Sequence, residues 1–421
     1  MKEFNIPEGW TFQSLYDLVD VIGGVSYTPE DISSSGIRII RGGNIQGNFV
    51  VFRDDDVFLP DKYKNCDNTL RKGDIVLVAS TGSVEALGRT ATIWDDMENV
   101  QIGAFLRILR PKQPKHAALI SAWLSSVYYF RYIRLIAKGT SINNISISHI
   151  KGFKIPIPTD DILLSFTAFY NALARRININ RAINQNLEAF VKQLYDYWFV
   201  QFDFPNKEGK PYKSSGGKMV WNETLKKEIP EGWITKQLQD LIVCEANSTT
   251  PGSHLRDLDY CPIDEIPIRS MSFAGGKNWQ EANSSLQLYD KCDILIGAMR
   301  VYFHRCCIAS KPGVTRTTTL VLKPRIIEHL SFIYQLCNEE RTFLYATKVS
   351  TGTQQPYVTW NALSSLDVPY PADEDIISSY CEYTKESINA VLKNVIEINE
   401  LQSLRDYLIP LLMNGQVTIK D

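Results

Sequence analysis

The sequence predicts an α+β protein: two globular α/β domains in a pseudo-twofold arrangement, joined by two long antiparallel coiled-coil helices. Three observations carry that expectation. The chain of 421 residues repeats itself over most of its length. Each repeat reads as strands followed by a helix, and each ends in a heptad pattern of about forty residues.

The repeat sets the frame, because an internal period changes how every later segment is assigned. Ile6-Pro7-Glu8-Gly9-Trp10 recurs as Ile229-Pro230-Glu231-Gly232-Trp233, 223 positions on. Lys72-Gly73-Asp74-Ile75-Val76-Leu77 recurs as Lys291-Cys292-Asp293-Ile294-Leu295-Ile296, 219 positions on. Gly139-Thr140 followed by Pro156-Ile157-Pro158 recurs as Gly352-Thr353 followed by Pro369-Tyr370-Pro371, 213 positions on. A constant order with a slowly shrinking offset is what small loop insertions and deletions leave after tandem duplication.

Within each copy the strands come first. Residues 36–40 and 74–79 are β-branched runs bounded by glycine or polar residues, as strands require. A helix is expected over about 115–138, with its counterpart over about 326–349. Gly139 and Gly352 should end them, since glycine tolerates the left-handed backbone of a helix C-terminus. A short strand and a Pro-x-Pro hinge close the globular part, because proline disfavours helix in the residue before it.

After the first hinge, Thr159 and Asp160 are good helix N-caps. Phe166, Leu173, Asn180, Leu187 and Leu194 then recur every seven residues. Phe169, Arg176, Ile183, Phe190 and Tyr197 follow three residues behind, which reads as an a/d seam. The second copy runs Ile377, Cys381, Thr384, Ile388, Val391, Val395 and Ile398, then shifts to Leu401, Leu404, Leu408 and Leu411. That shift reads as a stammer. Pro410 should kink the end of this helix, and Asn414-Gly415 should stop it. Each helix could pack on its own domain instead, but globular helices average about 11–12 residues. Two exposed seams are satisfied most simply by each other, with Asn180 fixing register. At about 1.5 Å per residue such a rod is on the order of 60 Å long. A turn of B-DNA is about 34–36 Å, so two heads on this rod would meet a duplex roughly one to two turns apart.

The expected division is therefore 1–158, 159–200 (first long helix), 201–228 (linker), 229–371, 372–415 (second long helix) and 416–421 (tail). The linker has turn chemistry; Phe202, Phe204, Tyr212 and Trp221 could order it.

Composition narrows the class. With 44% hydrophobic and 22% charged residues the chain is an ordinary globular protein. A net charge of −2 argues against a basic, non-specific nucleic-acid binder. Basic charge for DNA must then lie on one face or come from a partner. Neither a signal-like segment nor a run of about 18 apolar residues occurs, so a cytoplasmic protein with no membrane role is expected. The eight cysteines lack zinc spacing and read as reduced core thiols. His116 and His329 occupy equivalent places and read as helix starts. Asp54-Asp55-Asp56 reads as a solvated turn. Asp367-Val368-Pro369-Tyr370 is the repeated hinge and not a methyltransferase motif, and no phosphate-binding loop is present. No catalytic residue, cofactor or metal is expected.

These motifs carry a family resemblance. Ile-Pro-Glu-Gly-Trp heading each half, Gly209-Lys210-Pro211-Tyr212-Lys213-Ser214-Ser215-Gly216-Gly217 in the linker, Arg41-Gly42-Gly43-Asn44-Ile45, residues 139–147 and Ile155-Pro156-Ile157-Pro158 together resemble the specificity subunits of type I restriction-modification enzymes. The resemblance spans essentially the whole chain. It departs after the hinges, where Thr159-Asp160-Asp161 and Ala372-Asp373-Glu374 replace the family's Glu-Gln pair. It implies two target-recognition domains, each reading one half of a bipartite double-stranded DNA site. It also implies helices that set the spacer and dock two methyltransferase subunits, a complex that restriction subunits can join. Methyl-donor chemistry, ATP use and cleavage would belong to those partners. A degenerate methyltransferase or nuclease, and a protein scaffold with no DNA role, are the competing readings.

Sequence readout needs arginine for guanine, asparagine or glutamine for adenine, and backbone contacts for register. Three loops per head offer them. In the first head the candidates are Arg38, Arg41, Asn44, Gln46; Ser80, Thr81, Ser83, Arg89; and Lys138, Thr140, Ser141, Asn143, Asn144. In the second they are Arg269, Ser270, Lys277; Arg300, His304, Arg305, Arg316; and Lys348, Thr351, Thr353, Gln354, Gln355.

Overall fold

The computed structural model describes residues 7–53, 55–83, 85–136, 143–352 and 354–413. The chain divides into two compact units, residues 1–176 with 402–421 and residues 177–401.

In the first unit Ile75–Val78 is the central strand. It lies between Leu106–Pro111 and Thr90–Thr92, with Val19–Gly23 beyond Leu106–Pro111. All four of its residues are buried, so both faces are covered and the run is apolar without alternation. A second sheet sets Ile37–Ile40 between Val100–Ile102 and Val57–Leu59. The second unit repeats the first sheet's order: Ile294–Gly297 lies between Thr319–Pro324 and Cys306–Ala309, with Ile242–Cys244 at the edge. The repeated aspartates start the central strands in the same way. Asp74 accepts the Arg71 N–H at 2.8 Å and Asp293 accepts the Asp290 N–H at 2.7 Å.

Pro7-Glu8-Gly9-Trp10 and its copy Pro230-Glu231-Gly232-Trp233 each form a turn feeding a strand. Gly9 and Gly232 sit at φ +86° and +85°, a left-handed backbone that favours glycine. Thr11–Ser14 then pairs antiparallel with Lys154–Ile157, Thr11 opposite Ile157. Trp233–Gln237 pairs likewise with Asp367–Pro371, Trp233 opposite Pro371. The hinge prolines are tolerated because each ribbon has only two strands.

The helix expected over about 115–138 is two helices, Ala117–Leu124 and Val127–Ile136. Serines make the break. The Ser126 hydroxyl donates to the Trp123 carbonyl at 2.7 Å and accepts the Tyr129 N–H at 3.3 Å, closing one helix and capping the next. Its counterpart is also double, Leu330–Asn338 and Glu340–Val349. There Glu339 turns extended and its half-buried carboxylate accepts from the Tyr195 hydroxyl. His116 and His329 are buried at the starts of these segments, and burial lowers the pKa of both rings. Gly352 has φ +92°; Gly139 lies outside the described residues.

The first long helix is Asp160–Tyr195, continued by a π-helical turn over Asp196–Val200. Its seam differs from the expected one. Leu163, Tyr170, Ile177, Asn184, Val191 and Trp198 recur every seven residues and are all buried. Ile183, Phe190 and Tyr197 are 41%, 46% and 36% exposed. The inner face thus joins the Phe166 series to residues four places on, not three. The second long helix, Asp375–Met413, buries Ile377, Cys381, Thr384, Ile388, Val391 and Ile398 as expected. Past Ile398 no stammer occurs: Leu404 is 44% exposed, whereas Ile409 and Leu412 are buried and the Arg405 side chain is 12% exposed. Steps of four and three continue unbroken through Gln402 and Arg405, and helix persists through Pro410. Asn414-Gly415 lies outside the described residues.

In the first unit Leu163, Phe166, Tyr170 and Ala174 share a core with Ile409 and Leu412. In the second, the Tyr380 hydroxyl donates to the Val191 carbonyl at 3.0 Å and Asn394 Nδ2 donates to Asn184 Oδ1 at 2.8 Å. Numbering falls on one helix as it rises on the other, so the two pair antiparallel in this unit. The polar register bond is Asn184–Asn394. Asn180 is buried, but its amide nitrogen has no partner among the described residues.

Residues 201–228 lie in the second unit and lend side chains to its core. Phe202 and Phe204 are buried with Trp233, and Phe204 stacks on Tyr212 at 4.8 Å. Asp203 accepts from the Ser214 N–H and hydroxyl at 2.7 and 2.6 Å. Trp221 does not take part; it is 57% exposed on the hairpin of Met219–Asn222 with Lys227–Pro230.

Candidate nucleic-acid interface

Each head carries a hairpin loop stitched to the segment that follows its helix pair. In the first head the loop joins Ile75–Val78 to Thr90–Thr92. There Ser80 pairs with Asn144 and Thr81 with Asn143, while the Ile145 N–H bonds the Ala79 carbonyl at 2.7 Å. In the second the loop joins Ile294–Gly297 to Cys306–Ala309. Met299 bridges to Tyr357, and the Val358 N–H bonds the Ala298 carbonyl at 3.0 Å. These residues correspond through the 219 and 213 offsets. Two of the three predicted loops are thus brought onto one surface, in the same way, twice.

Side chains in the first head sort into buried braces and exposed donors. Asn44 is a brace: it is 1% exposed, accepts the Arg41 N–H at 2.8 Å and donates to Val51 O and Asp56 Oδ1 at 2.9 and 2.6 Å. Asp56, buried in the predicted acidic turn, also sits 3.7 Å from Arg38. Arg38 is further held over the Phe52 and Phe58 rings at 4.5 and 5.0 Å. Arg41 bonds the Asp55 carbonyl at 2.8 Å yet stays 41% exposed. Gln46, Ser83, Arg89 and Asn144 are exposed, and Ser80 and Thr81 are half-buried. Lys138, Thr140 and Ser141 lie outside the described residues, and of Asn143 only the backbone is described.

The second head divides similarly. His304 is a brace, 4% exposed, bonded through Nε2 to Asn338 at 2.9–3.0 Å and stacked 3.8 Å from Phe343. Burial lowers its pKa. Arg305 donates to the Asp264 carbonyl at 3.0 Å and to the Ile266 carbonyl, and burial lowers its pKa too. Arg269 pairs with Glu340, and Lys277 lies 3.4 Å from both Asp264 and Glu265. Ser270 is half-buried against Glu188 of the first long helix. Arg316 is half-buried at the end of a strand. Arg300, Lys348, Thr351, Gln354 and Gln355 are exposed; Thr353 lies outside the described residues. Sequence reading passed over Tyr302 and Phe303, which are 55% and 41% exposed on this hairpin loop. Their signal was two adjacent rings between short strands in a cationic segment.

No protein-family model matches the chain. It is 22% identical to the type I restriction enzyme MjaIX specificity subunit of Methanocaldococcus jannaschii over 444 residues, covering 99% of this chain and 95% of that protein. It is 30% identical to the type I restriction enzyme EcoKI specificity subunit of Escherichia coli over 163 residues, 38% of this chain and 34% of that one. The chain is a homologue of type I restriction enzyme specificity subunits. Its fold is similar to that of the type I restriction-modification S subunit of M. genitalium, with a TM-score of 0.54, 17% identity and coverage of 98% and 97%. In this specificity-subunit homologue no three His, Cys, Asp or Glu side chains are grouped to hold a metal among the described residues. Burial raises the pKa of Cys306 and Cys307, leaving both thiols protonated. No described helix is long and apolar enough to cross a membrane.

Proposed function

We propose that this chain is the cytoplasmic DNA sequence-recognition subunit of a type I restriction-modification complex. Each head reads one half of a bipartite double-stranded site, the first through the exposed donors around Gln46, Arg89 and Asn144, the second through Arg300, Lys348 and Gln354-Gln355. The long helices set the unspecified spacer and dock two methyltransferase subunits, and restriction subunits can join that complex. Methyl transfer and cleavage belong to the partners. The observation that carries this reading is the duplicated stitch, Ser80–Asn144 in one head and Met299–Tyr357 in the other, which presents equivalent polar loops twice on one chain.

Spacer length is the test. Inserting seven residues into each long helix beside Asn184 and Asn394 keeps the steps of four and three intact. It adds about 10 Å to each helix, or about three base pairs at roughly 3.4 Å each. Methylation sequencing of cells carrying the variant with its methyltransferase should show both half-sites unchanged and a gap three base pairs longer. Altered half-sites with an unchanged gap would refute the ruler, and methyl transfer by the purified chain alone would refute the non-catalytic role.

A further inference from the structure

We propose that Tyr302 and Phe303 form an aromatic wedge that enters and unstacks one base step of the half-site read by the second head. The proposal rests on the DNA-reading role above and deepens it: this half-site is chosen by deformability as well as by hydrogen bonding.

The two rings lie 4.8 Å apart, and both are exposed on the loop between Ile294–Gly297 and Cys306–Ala309. Adjacent exposed aromatics are an uncommon use of apolar surface unless something covers them. The loop that bears them is not slack. Arg300 and His304 flank it at φ +49° and +53°, left-handed conformations that non-glycine residues seldom take. Neighbouring structure enforces that backbone. The Arg300 N–H bonds the Pro356 carbonyl at 2.7 Å, Phe303 N–H bonds Arg300 O and His304 N–H bonds Val301 O, both at 2.9 Å. Val301 is 2% exposed, and the His304 ring is clamped between Asn338 and Phe343. Strain held in place this firmly concentrates where function needs a fixed geometry. A rigid mount also means that little conformational freedom is lost when the rings are inserted.

The surroundings suit a duplex. Arg300 is exposed two residues before Tyr302, and its N–H bond to the Pro356 carbonyl ties the loop to the segment that carries the exposed Gln354 and Gln355. Cations for phosphates, amides for base edges and an apolar wedge between them are the combination that proteins use to kink DNA at a base step. Pyrimidine–purine steps unstack most easily and are the expected target. The first head is built otherwise. By the 219 offset Tyr302 and Phe303 correspond to Ser83 and Val84, neither of them aromatic, and its exposed Phe105 lies in a turn where the Phe105 carbonyl accepts the Ser80 N–H at 3.0 Å.

The experiment uses the complex of this chain with its methyltransferase subunits. Synthetic duplexes carry the methylation-mapped bipartite site, with 2-aminopurine placed in turn at each position of the second head's half-site. Binding should raise the fluorescence at a single step. Tyr302→Ala with Phe303→Ala should abolish that rise and weaken specific binding about 10- to 100-fold, leaving readout of the other half-site unchanged. Phe303→Trp should keep the rise. Unchanged fluorescence and affinity in the double variant would overturn the wedge, as would failure of that variant to join the methyltransferase, which would make the rings a protein contact. If the wild-type complex bound no bipartite duplex, the recognition role itself would fall, and the wedge with it.

Discussion

Arg110 holds Asp74 in a two-pronged grip, Nε to Oδ1 and Nη2 to Oδ2, both at 2.8 Å, with the carboxylate 2% exposed. In the second head the same place is taken by Lys323, 3.9 Å from Asp293 and shared with Glu245 and Asp290 at 3.1 and 3.2 Å. A guanidinium matches both carboxylate oxygens, and an ammonium is a point charge that cannot. Burial therefore dominates at Asp293 and pushes its carboxyl up to about 6.

The first prediction concerns that grip. Arg110→Ala strands a buried carboxylate and should cost about 3–5 kcal/mol. Arg110→Met with Asp74→Leu, which removes both charges, should cost much less. Lys323→Ala, losing a looser and more exposed pair, should cost about 1 kcal/mol or less. Urea unfolding of the three variants would check the order, and equal losses would contradict it.

Stability in the second unit should fall as pH rises from about 4 to 7. Asp293 titrates near 6 against an ordinary 3.8. Glu188, accepting from the Met271 N–H and the Ser270 hydroxyl, is pushed by burial to about 7 against 4.5. Both folded values are raised, so folding takes up protons, and the stabilisation present at low pH is lost as pH climbs through the folded values. At about 1.4 kcal/mol per unit, each group contributes on the order of 3 kcal/mol. Asp293→Asn should flatten the profile between about pH 4 and 6, and Glu188→Gln between about 4.5 and 7. Denaturation midpoints across this range would show a parallel profile in either variant if the assignment were wrong.

The helix seam makes a sharp contrast between neighbours. Val191 is fully buried and Phe190 is 46% exposed. Val191→Ala should cost about 2 kcal/mol, whereas Phe190→Ala, though it removes the larger side chain, should change stability by about 0.5 kcal/mol or less. Thermal unfolding of the two variants distinguishes the observed seam from the expected one.

Asn44 and Gln46 should separate folding from recognition. Asn44→Ala leaves Asp56 and the Arg41 N–H short of a buried partner and should cost about 2–3 kcal/mol. Gln46→Ala should leave stability unchanged and relax one base position of the first half-site. Denaturation and methylation sequencing read the two effects.

What was legible in the sequence follows from how strongly each pattern constrains geometry. Central strands such as Ile75–Val78 and Ile294–Gly297 are buried on both faces, so their apolar runs could be read directly. The long helices were legible in place and partnering but not in rotation. Apolar residues stand both three and four places after Phe166, and only packing decides that Tyr170 goes in while Phe169 is half-covered. In the second helix Leu401, Leu404 and Leu408 suggested a stammer because Gln402 and Arg405 are polar, yet Leu404 is exposed while the Arg405 side chain is largely covered. The break at Ser125-Ser126 was missed for a related reason: serine within an apolar helical pattern looks tolerable until its hydroxyls are seen capping. At the interface the difficulty was chemical. Asn44 and His304 have the residue types of base readers, and the same hydrogen-bonding capacity makes them good internal braces.

The two-stranded ribbons at the base of the heads have an evolutionary consequence. Because Thr11 lies opposite Ile157 and Trp233 opposite Pro371, each head begins and ends at neighbouring points on its own ribbon. A gene segment cut at those two points encodes a self-closed insert. Recombination there can exchange a whole head while leaving every residue of the two long helices untouched.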